Sequence, residues 1–410
     1  MIELLKLGLI LGLTIWLLMR KWDLGLVLLL DTLLVSALFL YPPAALALSV
    51  VRGLVAPQTL NLAGAVFLVL CLAELLRRTK AMERMVASIQ VLVPDSRIVL
   101  ALVPAFIGLM PMLGGAMFSA PMINSIGTPL NLSPHRKTFV NYWFRHTMEY
   151  VFPLYSSILV LVALLEITPY AFIRRAYPLS LAAIVGGIIW GLASLPRPAR
   201  QADPAAGSSR VDAPWRGLLA STWPLLLVIL LVVILKLNML LSLAGVIVLT
   251  AITKRIGPAQ WLDVLRHSFP LHTFSAIFAV MVFKHVIEDA GAVQTIPDAL
   301  SSLGLPPLLV AFVIPHLAGL LTGTAPAAMA LGVPLVMPLM NALNVDYAAS
   351  GVWLFAGAFT GVLLSPLHLC LSLTRAYFEA NWGKLYRAVV PATALVIATA
   401  LGIILWTPKA

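Results

Sequence analysis

The stretch PAFIGLMPMLGGAMFSAP, Pro104–Pro121, decides how the chain is read. It is apolar enough for a membrane interior. Yet Pro104, Gly108, Pro111, Gly114, Gly115 and Pro121 interrupt it, and proline and glycine are poor material for a straight spanning helix. A second stretch, PHLAGLLTGTAPAAMALGVP, Pro315–Pro334, has the same character. Broken apolar segments at matching places in two halves of a chain point to a transporter's binding site. Both are expected to be re-entrant hairpins that enter the membrane and turn back, over about 98–127 and about 306–340.

Composition supports a bilayer setting. The 410 residues are 61% hydrophobic and 10% charged, with a mean hydropathy of +1.00. Soluble domains carry about 25% charged residues, and apolar runs of about 20 residues, the length of a spanning helix, recur here. The net charge of +11 comes from basic residues in short groups between apolar runs, as in cytoplasmic loops. No basic face or reading motif accompanies it, so nucleic acid is not an expected partner. Cys71 and Cys370 each sit inside an apolar run and read as small buried residues rather than as a disulfide or a thiolate metal site. The apolar run Leu7–Met19 is followed by Arg20-Lys21 and no small-residue cleavage site, which reads as a first span.

The organisation follows from the interruptions. A first half, 1–195, holds the first hairpin and a long helix over about 136–166, broken at Pro153. The segment 196–216, rich in Pro, Ala, Gly and Ser, reads as a flexible cytoplasmic linker. A second half, 217–410, holds the second hairpin and a helix over about 347–378, broken at Pro366. Met82, Met85, Val86, Ile89 and Val93 fall at helical spacing and predict an amphipathic helix on the membrane surface. Pro104 and Pro315, Gly108 and Gly319, and Phe67 and Phe278 share one offset of 211 residues, and Pro153 and Pro366 differ by 213. The halves therefore read as an internal repeat. With about five spans per half, the lysine and arginine groups fall mostly on one side. That side is expected to be cytoplasmic, with both termini outside and the halves inverted relative to each other. The expected fold class is an all-α polytopic membrane protein of two inverted repeats in the cell membrane.

Breaks in apolar helices carry the chemistry. A broken helix in hydrocarbon exposes N–H and C=O groups, each costing several kcal/mol unless protein, water or solute satisfies it. Helix N-termini suit an anion and carbonyl ends suit Na⁺. The candidate substrate ligands are Gly114, Gly115, Ser119 and Asn124 around the first tip, Thr322, Gly323 and Thr324 at the second, and Ser365 and His368 at the second helix break. The plainer account of each hydroxyl is a bond to its own helix backbone. In NYWFRHTMEY, 141–150, Arg145 and Glu149 stand at i and i+4 with His146 adjacent. They read either as a structural ion pair or as an anion-attracting Arg145 with His146 or Glu149 carrying a proton. Asp31, an acid within a span, is a further coupling-ion candidate. Lys284 and Glu288 read as a solvated helix end. No cofactor is expected beyond Na⁺ or H⁺ as coupling ion. No GxxxxGK[ST], H-E-x-x-H, G-x-S-x-G or Cys/His cluster at metal spacing is present, so neither an enzyme nor a metal centre is expected.

PMLGGAMFSAP, 111–121, and YWFRHTMEYVFPLY, 142–155, resemble a family of integral membrane proteins of unknown function related to the gluconate permeases, within the ion transporter superfamily. The resemblance implies inverted repeats, re-entrant hairpins, a homodimer, elevator movement and coupling to Na⁺ or H⁺. The tips read MLGGA and LTGTA, not the Ser-Asn-Thr of the dicarboxylate–sodium symporters. The expected function is an ion-coupled secondary transporter of a small organic anion. The alternatives are a cation/proton antiporter on the same scaffold and a non-transport membrane protein, either a lipid-acting enzyme or a scaffold.

Overall fold

The computed structural model describes residues 2–110, 115–193, 195, 213–292 and 304–407. All regular elements among them are helical. The first half contains α1 (Ile2–Met19), α2 (Leu24–Leu38), α3 (Pro43–Val55), α4 (Pro57–Arg78), α5 (Ala81–Leu92), α6 (Ser96–Gly108), α7 (Ala116–Gly127), α8 (Pro134–His146), α9 (Ser156–Leu165) and α10 (Pro169–Gly187), the last running into a π turn at Ile188–Leu192. The second contains α11 (Pro214–Ile229) with a π turn at Leu230–Ile234, α12 (Met239–Thr253), α13 (Pro258–His267), α14 (Leu271–Asp289), α15 (Pro307–Thr322), α16 (Ala325–Ala342), α17 (Tyr347–Leu364), α18 (Leu369–Tyr377) and α19 (Trp382–Trp406).

Local chemistry sets many of these boundaries. Asp23, Asp95, Thr168, Asn238, Asp346 and Asn381 each accept a first-turn N–H of the helix they open. Proline in the first turn starts α3, α4 and α8, where its missing N–H costs nothing. Helix order recurs. The starts of α6 to α10 reappear at those of α15 to α19, between 209 and 213 residues on. Seven helical segments among the described residues are long and apolar enough to cross a membrane. They include Pro57–Arg78, Pro169–Leu192 and Trp382–Trp406.

Both broken stretches are broken. The first parts into α6 and α7, of 13 and 12 residues. Neither matches the roughly 20 residues a bilayer requires. Its centre, 111–114, lies outside the described residues, as does 196–212 of the expected linker. The second turns at Gly323, whose φ of +65° is the left-handed conformation that favours glycine. Its arms are longer, and α16, with 18 residues, reaches spanning length by itself. The two long helices part as the prolines suggested, into α8 and α9 around 147–155 and into α17 and α18 around 365–368.

Two expectations are corrected. The apolar face of α5 does not lie on a membrane surface. Met85, Val86 and Ile89 are buried in a small core with Val99, Val103 and Ile107, and Leu218 of α11 packs on it. Periodicity finds an apolar stripe but not what covers it. Nor is Lys284 at a solvated end. It is 6% exposed, with Nζ 2.8 Å from Glu166 and 3.9 Å from Glu288, because α2 and α3 cover α14.

The core centres on α17, where every residue from Ala348 to Leu363 is buried. It crosses α15 at very short range. A Cβ on Gly319 would meet the Ala358 carbonyl, one on Gly361 the His316 carbonyl, and one on Gly357 the Phe312 carbonyl. Small residues at such crossings let backbones approach and gain packing that lipid does not offer. In the first half, Gly108 of α6 meets the Arg145 carbonyl of α8 in the same way. Gly319→Ala and Gly361→Ala should each cost about 1–3 kcal/mol through overpacking, read as a lower melting temperature in detergent. Gly245→Ala, with nothing within 4 Å of its added Cβ, should be neutral to slightly stabilising, because alanine is the better helix former. Equal behaviour of all three variants would contradict the close crossing.

Candidate functional site

The four interruptions meet one another, and side chains satisfy what they expose. The C-terminal carbonyls are capped in turn. Tyr155 Oη donates to Gly108 O at 2.5 Å at the end of α6, and Ser180 Oγ to Thr147 O at 2.7 Å after α8. Ser365 Oγ donates to Leu320 O at 2.6 Å and His368 Nδ1 to Gly323 O at 2.7 Å, closing the end of α15. Tyr142 Oη and Tyr386 Oη donate to Leu363 O and Leu364 O, at 3.0 and 2.8 Å, at the end of α17. Tyr142 and Leu363 come from opposite halves of the chain, so the first broken helix caps the second.

The N-terminal ends differ. The N-cap residues of α7, α9, α16 and α18 are Gly115, Tyr155, Thr324 and His368, and none makes a side-chain cap. These ends keep their N–H groups and the positive end of the helix dipole. Against the start of α7 lies a second positive group. A Cβ on Gly115 would overlap the Arg145 guanidinium, with Cζ at 2.7 Å, and Arg145 is itself only 5% exposed. Asn141, one turn earlier on α8, donates Nδ2 to Ala116 O at 3.0 Å and to Thr374 Oγ1 at 3.2 Å. Its Oδ1 is buried with no hydrogen-bond partner. A buried guanidinium beside a positive helix end makes a setting that favours an anion.

His146 and His368 face each other across the two breaks, with Nε2 atoms 3.1 Å apart. Cys370 completes the group, and the three ligand-capable atoms all lie within 4.8 Å of one another. Tyr142 stacks obliquely on both rings, with centroids 4.8 Å from His146 and 5.7 Å from His368.

The structure thus brings Gly115, Arg145, His146, Gly323, Ser365 and His368 to the meeting of the breaks. Gly114 lies outside the described residues. Ser119 is buried but donates to Ala116 O of its own helix at 3.2 Å. Thr322 donates to Thr324 O at 3.2 Å, and Thr324 is exposed beside the second tip. Asn124 is not in the group: it is exposed and its Oδ1 takes Lys137 Nζ at 2.8 Å. Glu149 lies beyond the end of α8, so the i, i+4 face with Arg145 is not formed; Ser157 Oγ approaches its carboxylate at 3.4 Å. Asp31 stands apart on α2, accepting Thr14 Oγ1 at 2.6 Å. Sequence reasoning missed Cys370, Asn141 and the capping tyrosines Tyr142, Tyr155 and Tyr386. Asn141 and Tyr142 precede Arg145 within α8, and an amide set among Phe139, Val140, Tyr142, Trp143 and Phe144 was the available signal.

The low-affinity gluconate transporter of Escherichia coli strain K12 is 32% identical to this chain over 100 residues, 20% of this chain and 22% of that one. The same protein of Escherichia coli O157:H7 matches equally. The match thus spans about a fifth of those relatives' length. The YdaH transporter of Alcanivorax borkumensis superposes with a TM-score of 0.68 at 12% identity, over 94% of this chain and 98% of that one. MtrF of Neisseria gonorrhoeae, described with a class of antimetabolite efflux pumps, superposes at 0.55 and 14% identity, over 87% and 83%. At those identities the likeness is one of fold. Together with seven apolar helical segments, it makes this a multi-pass membrane protein with a transporter-like fold. The family model described as "Protein of unknown function (DUF401)" matches residues 4–407, and the chain belongs to that family.

Proposed function

We propose that the protein is an ion-coupled secondary transporter of a small organic anion. One observation carries this. The carbonyl ends of the breaks are capped by side chains, the opposed N-terminal ends have no side-chain caps, and Arg145 stands buried against one of them. An anion would receive the N–H groups of α7 and the Arg145 fork. Asn141 Oδ1, an unpaired acceptor at the same place, would take a substrate hydroxyl. A hydroxylated carboxylate of the sugar-acid class fits that donor and acceptor set, and the partial likeness to a gluconate transporter supports it.

The recurrence of helix order at about 211 residues supports two repeats, and the odd number of crossings expected in each makes them inverted. The paired helices α6–α7 and α15–α16 would be the re-entrant hairpins. They would travel with the bound solute against a fixed scaffold in an elevator movement, within a homodimer in the cell membrane and with both termini outside. His146 or Glu149 would carry the coupling proton near the solute.

A cation/proton antiporter is the second reading, favoured by Asp31. This carboxylate is fully buried, with Oδ1 lacking any hydrogen-bond partner, as a proton or Na⁺ site requires.

In proteoliposomes, gluconate uptake should rise when an inward H⁺ or Na⁺ gradient is imposed. Arg145→Ala should weaken apparent affinity at least about 30-fold, the cost of removing a buried charged partner, and Arg145→Lys should restore it only in part. Uptake across a broad panel of organic anions that ignores both gradients and Arg145 would contradict the proposal. Asp31→Asn separates the two readings. If Asp31 couples ions to anion movement, the variant loses gradient-driven accumulation and keeps anion exchange. Cation-dependent proton release without any anion, lost in Asp31→Asn, would instead establish the antiporter.

A further inference from the structure

We propose that His146, His368 and Cys370 form a binding site for one thiophilic transition-metal ion, of the Zn²⁺ or Cu⁺ class, that fastens the broken helix of the first half to that of the second. The imidazole tautomers make the case. His146 Nδ1 lies 2.7 Å from Tyr142 O, and His368 Nδ1 lies 2.7 Å from Gly323 O. A carbonyl only accepts, so each Nδ1 carries the proton. In the neutral rings both Nε2 atoms then present lone pairs to each other at 3.1 Å. That contact is repulsive until a positive species stands between them. Two imidazoles bound to one metal at about 2.0–2.1 Å place their nitrogens at a comparable spacing.

The surroundings fit a metal as well. An Nδ1–H given to a backbone carbonyl is the outer contact that orients metal-bound histidines and raises their basicity. Cys370 Sγ and one ring nitrogen of each histidine all lie within 4.8 Å of one another. A thiolate with two imidazoles selects soft and borderline ions over Na⁺, Mg²⁺ or Ca²⁺, which prefer oxygen. His146 and Cys370 are buried and His368 partly so, and the site leaves one coordination position unfilled by these residues. Binding displaces the thiol proton: the Cys370 S–H bond is lost, a metal–sulfur bond forms, and one proton leaves to the buffer. The ligands come from positions 146, 368 and 370, so no local spacing in the chain announces them.

The proposal shares His146 with the transport reading and leaves Glu149 to carry the coupling proton when metal is bound; its test uses no transport. The full chain, purified without a polyhistidine tag and stripped with chelator, is titrated with Zn²⁺, and with Co²⁺ as a spectroscopic stand-in. Expected are one equivalent bound per chain, release of about one proton, a higher melting temperature, and a thiolate-to-cobalt charge-transfer band that chelator removes. Cys370→Ser should abolish the band and weaken Zn²⁺ binding at least about 100-fold, while Cys71→Ser should leave both unchanged. The wild-type band and its loss to chelator keep the test decisive if the Cys370 variant folds poorly. No sulfur band in the wild type, a band that follows Cys71, or Zn²⁺ binding unaffected by Cys370→Ser would each overturn the site. The histidine pair would then share a proton and nothing more.

Discussion

The structure depends on one constraint: a helix interrupted in an apolar interior frees backbone groups that water cannot reach. An unpaired buried carbonyl or N–H costs about 1–3 kcal/mol, and more in hydrocarbon. This chain ends α6 at Gly108 and opens α7 at Ala116, and it interrupts its helices at 147–155, 323–324 and 365–368; it answers with side chains from neighbouring elements. Tyr155 serves Gly108, Tyr142 and Tyr386 serve Leu363 and Leu364, Ser365 serves Leu320, and His368 serves Gly323. Hydroxyl and imidazole groups suit this work because an apolar body fills the core while one polar atom reaches the carbonyl.

The same constraint explains the glycines. A tyrosine or serine can cap a carbonyl on a neighbouring helix only if the backbones come close. Gly108, Gly319, Gly357 and Gly361 are where a side chain would prevent it. It also explains why the interruptions cluster. Each break supplies the groups another needs, so separated breaks would leave carbonyls bare. The result is a seam between the halves, with Tyr142 and His146 on one side and Leu363 and His368 on the other. What the seam does not supply is side-chain caps for the N-termini of α7, α9, α16 and α18.

Much of the architecture was legible in the chain because proline and glycine act locally. Pro153 and Pro366 lie within the interruptions of the two long helices, and the glycine of LTGTA lies at the observed turn. Arg145 and His368 stood out because charge and imidazole are rare in apolar runs. What stayed hidden depends on contacts between distant segments. Cys370 reads as an inert small residue until His146 is folded against it. Asn124 reads like Asn141, and only packing exposes the first and buries the second. The amphipathic stripe of α5 is real, but periodicity cannot say that protein rather than lipid covers it.

The most direct test of the account is a structure determined in lipid nanodiscs with and without gluconate. The account predicts density present only with gluconate, touching the Arg145 guanidinium and the first N–H groups of α7, with its hydroxyls toward Asn141. Density seated elsewhere, such as the small cavity beside Lys284 and Glu288, with the start of α7 closed by protein alone, would contradict it.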